Sequence, residues 1–65
     1  MQSIEFTIQG RQFKLESNGH GRRVLDKNGV EWSDQELIDF AGAVEATTAL
    51  AYAQRDLERL VSYAG

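Results

Sequence analysis

Apolar and polar residues alternate with period two through the first part of the chain. Ile4, Phe6 and Ile8 alternate with Glu5, Thr7 and Gln9, the pattern of a half-buried strand. Beyond Gly10-Arg11, Phe13 and Leu15 alternate with Gln12, Lys14 and Glu16 and predict a second strand. A two-residue turn with Gly first suits type II′. That turn pairs Gln9 with Gln12, Ile8 with Phe13 and Phe6 with Leu15, which keeps the apolar pairs on one face. Asn18-Gly19-His20-Gly21 reads as a loop, and Val24 and Leu25 mark a third strand near Arg22 to Asp26. Asn28-Gly29 is a type I′ hairpin signal. It leads into a short fourth strand, Val30-Glu31-Trp32, with Val30 and Trp32 on one face. Val24 and Leu25 compete for the inward side, so the register of this hairpin stays open between loops of two and four residues.

The period changes at Ser33. Ser33 and Glu36 form a capping-box pattern, and Asp34 and Glu36 place negative charge at the positive end of a helix dipole. From Asp34 to about Tyr63 there is no Pro and one Gly, Gly42, and Gly65 is placed to follow the C-cap. The predicted fold is α+β: a four-stranded antiparallel meander followed by one long C-terminal helix, ββββα. It forms a single small domain with the sheet in residues 1–32 and the helix in 33–64. Gly42 and the β-branched pair Thr47-Thr48 are the weak points, where a bend or a split into two helices is the alternative.

The apolar side of this helix changes along its length. On a wheel of about 100° per residue, Leu37, Phe40, Ala41 and Val44 share one side, and Thr48, Ala51 and Tyr52 continue it. Ala46, Leu50, Ala53, Leu57, Leu60 and Ala64 occupy the opposite side. Their spacing alternates between four and three, the spacing of a helix–helix seam. A 30-residue helix is ~45 Å long, whereas a six-residue strand spans ~20 Å. The sheet is therefore expected to cover only the first half, through Leu37, Phe40, Ala41 and Val44. The second half, with Ala46, Leu50, Ala53, Leu57, Leu60, Val61 and Ala64, is expected to form a homodimer interface. A break near Thr47 that folds the helix back over the same sheet is the monomeric alternative, and a different partner protein is the third reading.

Composition supports a partner chain. The chain has 65 residues and neither Cys nor Pro. A core of this size supplies roughly 3–5 kcal/mol of net stability, and without Cys there is no disulfide framework. No cofactor or metal is expected, because His20 is the one imidazole. No apolar run approaches the ~18 residues of a membrane span. Residues 1–10 lack a basic, then apolar, signal-peptide pattern, so a cytoplasmic location is expected. No serine lies in a nucleophile motif, and an enzyme is not expected. Phe6, Phe13, Trp32 and Phe40 fit core positions, while Tyr52 and Tyr63 suit an interface.

The net charge of −3 is unevenly distributed. Residues 1–32 carry +1, and residues 33–65 carry −4. From Glu31 to Glu45 there are five acids (Glu31, Asp34, Glu36, Asp39 and Glu45) and no base. Such a field steers association with a basic surface. The expected function is a small acidic protein-interaction module, a dimeric regulator or inhibitor whose acidic helix surface occludes a basic, nucleic-acid-binding site on a partner protein. Small acidic domains of this kind are common among regulators encoded by phages and mobile elements. Two alternatives are a nucleic-acid contact through Lys14, Arg22, Arg23 and Lys27, and an assembly subunit whose helix seam is its function. Adjacent Arg22 and Arg23 point to opposite faces of a strand, and the acidic pI of about 4.9 disfavours general nucleic-acid binding.

Overall fold

The computed structural model describes residues 2–18 and 20–64, with side chains through residue 60. Four antiparallel strands lie in the order β1-β2-β3-β4: β1 (Gln2–Ile8), β2 (Arg11–Asn18), β3 (Gly21–Asp26) and β4 (Glu31–Trp32). Two helices follow, α1 (Asp34–Ala41) and α2 (Ala43–Ala64). The ββββα order is the expected one. The helix is in two pieces.

The first hairpin differs in detail from expectation. Ile8 pairs with Arg11, Phe6 with Phe13 and Ile4 with Leu15. The two turn residues are Gln9 and Gly10, and both have positive φ, 52° and 78°. That is the type I′ signature, in place of the type II′ turn expected at Gly10-Arg11. The shift leaves the apolar set on the same face, because both registers keep the period of two. Four residues, Lys27 to Val30, separate β3 from β4, the longer of the two lengths left open. Asp26 N–H donates to the Val30 carbonyl at 2.9 Å, and Gly29 N–H to the Asp26 carbonyl at 3.0 Å. Gly29 takes φ +82°, the left-handed position such a loop requires. Val24 is thereby turned inward and buried, opposite Trp32.

Gly42 decides the helical layer. Its φ of 91° and ψ of 153° lie in a region open essentially to glycine alone. Gly42 N–H closes α1 on the Ile38 carbonyl at 2.7 Å, and its own carbonyl accepts Ala46 N–H at 3.0 Å to start α2. The chain therefore turns back at Gly42, while α2 runs unbroken through Thr47-Thr48. Ser33 caps α1 with both halves of the capping box formed, Ser33 Oγ accepting Glu36 N–H and Glu36 Oε1 accepting Ser33 N–H.

Both helices cover the same face of the sheet. Ile8, Phe13, Leu15 and Val24 meet Leu37 of α1 and Ala46, Leu50, Ala53 and Leu57 of α2 in one core. The expected dimer seam is thus corrected for its first four members. Ala46, Leu50, Ala53 and Leu57 are buried within their own chain. Leu60 is 44% exposed. The side chains of Val61, Tyr63 and Ala64 lie outside the described residues, as do Gly19 and Gly65. Val44, expected in the core beside Leu37, is instead 80% exposed, because the bend separates its helix from α1. Phe6, Phe13, Trp32 and Phe40 pack together as expected: Phe13 packs edge-on to Trp32 at 5.1 Å and stacks with Phe6 at 5.8 Å, and Trp32 meets Phe40 at 5.7 Å.

Candidate functional site: an acidic helical surface

The five acids of the helix start reach the surface by different routes. Glu31 lies on the sheet face away from the helices, 3.9 Å from Arg23. Asp34 begins α1 and lines a shallow groove of about 480 Å³ with Arg22, Thr47, Leu50, Ala51 and Gln54. Glu36 is tied into the capping box. Asp39 accepts from Gln35 Nε2 at 2.9 Å, and Glu45 accepts from Gln9 Nε2 at 3.0 Å. All five are exposed. Asp39 and Glu45 stand on either side of the Gly42 bend, with exposed Val44 between them in sequence. Among the described residues, no ion pair reaches Asp34, Glu36, Asp39 or Glu45.

The described cations lie elsewhere, and several of the arginines have partners there. Arg23 Nε donates to Glu16 at 3.0 Å. Arg22 lies on the helix-covered face and donates to Gln54 Oε1 at 3.2 Å. Arg55 stacks over the Tyr52 ring at 4.8 Å. Lys14 sits on the open sheet face opposite Glu5, and Lys27 is exposed in the β3–β4 loop. Lys14, Arg22, Arg23 and Lys27 are therefore divided between two faces and a loop, with acids beside two of them. The open face alternates in sign and forms no basic stripe.

One residue with concentrated chemistry was not singled out from the sequence. Asp26 lies on the core side of β3, and its side chain is 5% exposed. Its Oδ1 accepts Asn28 N–H at 2.8 Å and Val30 N–H at 3.0 Å, and its Oδ2 accepts Trp32 Nε1–H at 3.1 Å. Arg11 approaches to 3.6 Å and spreads its guanidinium 4.8 Å from the Trp32 ring centre, a cation–π contact. The Val30 N–H holds the Asp26 carboxyl below its ordinary value. Partial burial opposes that shift, and Trp32, Asn28 and Arg11 add to it. The signal was present as Asp-Lys-Asn-Gly, since Asp before a turn bonds to backbone two residues on. With every oxygen committed to the hairpin, Asp26 is an anchor rather than a reactive group.

Among the described residues, no group of three or more His, Asp or Glu side chains is arranged to hold a metal ion. No described helix is long and apolar enough to cross a membrane. Comparison with family models, curated proteins and solved structures finds no match to this chain.

Proposed function

We propose that this chain is a non-enzymatic, cytoplasmic protein-interaction module, whose acidic helical surface meets a basic surface on a partner protein. The observation that carries the reading is that Asp34, Glu36, Asp39 and Glu45 are exposed with no ion pair to a described base. Acids in the first turn of α1 are favoured by its dipole, which accounts for Asp34 and Glu36. Glu45 lies in the first turn of α2 and has the same reason. Asp39, toward the C-terminal end of α1, has none, so it is the residue first assigned to the partner, with Glu45 beside it. A field of one sign raises the association rate with a surface of opposite sign, and the partner's basic surface is then occluded. Occlusion of a nucleic-acid-binding site would make the module an inhibitor.

The homodimer proposal is weakened, because Leu50 and Leu57 already have a partner in the chain's own sheet. A nucleic-acid contact draws less support still, since the bases are split across two faces. The test is affinity capture from the source cells with the wild-type chain and with an Asp39→Lys, Glu45→Lys variant. A specific partner retained by the wild type and lost by the variant supports the reading. A partner held equally by both overturns it, and so does a salt-sensitive gel shift of DNA or RNA by the chain alone.

A further inference from the structure

The two edges of the sheet are unequal. β4 offers two residues, whereas β1 offers seven, about 23 Å of strand. Hydrogen-bonded and non-bonded pairs alternate along an antiparallel ladder. The two-residue turn makes Ile8–Arg11 a bonded pair, so Phe6–Phe13 and Ile4–Leu15 are bonded as well. The N–H and C=O groups of Ser3, Glu5 and Thr7 consequently point away from β2, along the free edge.

This edge has a floor. α2 packs beneath β1, and Gln54, Thr47 and Ala51 face the groove shared with Asp34 and Arg22. By helical spacing the opposite side of α2 carries Glu45, Ala49, Tyr52, Asp56 and Leu60, and Glu45 on that side accepts from Gln9, just past the end of β1. Tyr52 is 55% exposed. Ile4 and Phe6, the inward side chains of β1, are only half-buried. Ile4, Phe6 and Ala49 thus leave part of their apolar surface uncovered near the strand edge. This surface is flanked by Glu5 on the open face and Glu45 below, neither of them ion-paired among the described residues.

We propose that β1 is an acceptor edge for strand addition, and that its occupant is an extended segment of a partner protein with alternating apolar and basic residues. Its backbone pairs with Ser3, Glu5 and Thr7. Its apolar side chains lie over the half-buried Ile4, Phe6 and Ala49, and a Lys or Arg on its other face lies opposite Glu5. Backbone pairing supplies affinity in this mode, and alternate side chains supply selectivity. A second copy of this chain is disfavoured, because full antiparallel pairing of two β1 strands sets Glu5 against Glu5. Like charges directly opposite are destabilising, and an isolated acid mid-strand is a common guard of an open edge.

The proposal extends the protein-binding reading to a different surface, so the two are tested apart. The probe is a seven-residue synthetic peptide alternating Val and Lys, added to the full-length chain and followed by amide NMR. The amides of Ser3, Glu5 and Thr7 are expected to exchange fast in the free protein and to become protected with peptide. Shift changes should follow β1 and residues 45–56 and spare α1. Glu5→Lys should weaken the Val–Lys peptide about fivefold and favour a Val–Glu peptide instead. Thr7→Pro, which removes an edge donor but no ladder bond, should weaken both about tenfold. Ser3→Pro serves if that variant does not fold. Asp39→Lys should leave peptide binding unchanged, so failure at the helix surface is distinguishable from failure at the edge. Absence of any shift at millimolar peptide overturns the proposal. So do shifts centred on α1, binding indifferent to both proline variants, or edge amides protected by self-association of the free chain.

Discussion

Replacing Gly42 by alanine tests what shapes the helical layer. An added Cβ meets no atom within 4 Å, so the cost is not a clash. It lies in the backbone, since φ 91° with ψ 153° costs a non-glycine residue about 1–3 kcal/mol. Alanine could escape by straightening the chain into one helix, which its propensity favours by about 1 kcal/mol. Straightening, however, lifts α2 from the sheet and returns Leu50 and Leu57 to water, at about 1.5–3 kcal/mol each. The burial term wins, so Gly42→Ala should keep the bend and carry the strain. For 65 residues a loss of 1 kcal/mol lowers Tm by roughly 4–8 °C, so a fall of roughly 5–20 °C is expected. Thermal melts by circular dichroism measure it, with sedimentation to report mass. An unchanged or raised Tm would refute the reasoning. A stable dimer with added helix content would do so differently, by showing that the straight helix had found its apolar partner in a second chain.

Two further predictions separate core from surface and structure from charge. Leu57→Ala should cost about 2–5 kcal/mol in urea unfolding, since Leu57 is 1% exposed, whereas Leu60→Ala should stay within about 0.5 kcal/mol; equal costs would contradict the placement of α2. The Asp26 carboxyl is held below its ordinary value of 3.8, first by the Val30 N–H. Its contribution is therefore complete above the unfolded-state value near 3.8 and is lost as the pH falls below that value through the folded one. Urea midpoints measured from pH 6 to pH 2 should fall for the wild type, and Asp26→Asn should start lower and remove part of that slope; parallel curves would show that Asp26 does not titrate with folding.

The strands were legible because a half-covered sheet writes its period directly into the chain. The capping box at Ser33 was legible for a similar reason, as all its bonds are local. The turns were less so. Gln9-Gly10 and Gly10-Arg11 both keep Phe6 and Phe13 on the inner face, so the apolar pattern does not choose between them. Asp26 was legible only in part: its bonds to Asn28 and Val30 are local to Asp-Lys-Asn-Gly, whereas Trp32 and Arg11 are brought to it by the fold of two hairpins. Of the acidic set, sequence alone located the charge. That Asp39 and Glu45 make no ion pair among the described residues required knowing where bases go, such as Arg23 to Glu16 and Arg22 to Gln54.

The change of apolar face along residues 34–64 was plain in the sequence, and so was Gly42. Their meaning was not. On a straight helix, two apolar faces pointing opposite ways demand two different partners, and a second chain is the simplest supplier. With a bend at Gly42, the same two faces turn toward a single sheet. One pair of dihedral angles separates these outcomes, and no local preference fixes it. Glycine permits the turn, but the burial of Leu37, Leu50 and Leu57 together is what selects it. The sequence determined which residues must leave water, and the tertiary structure decided that their own chain would cover them.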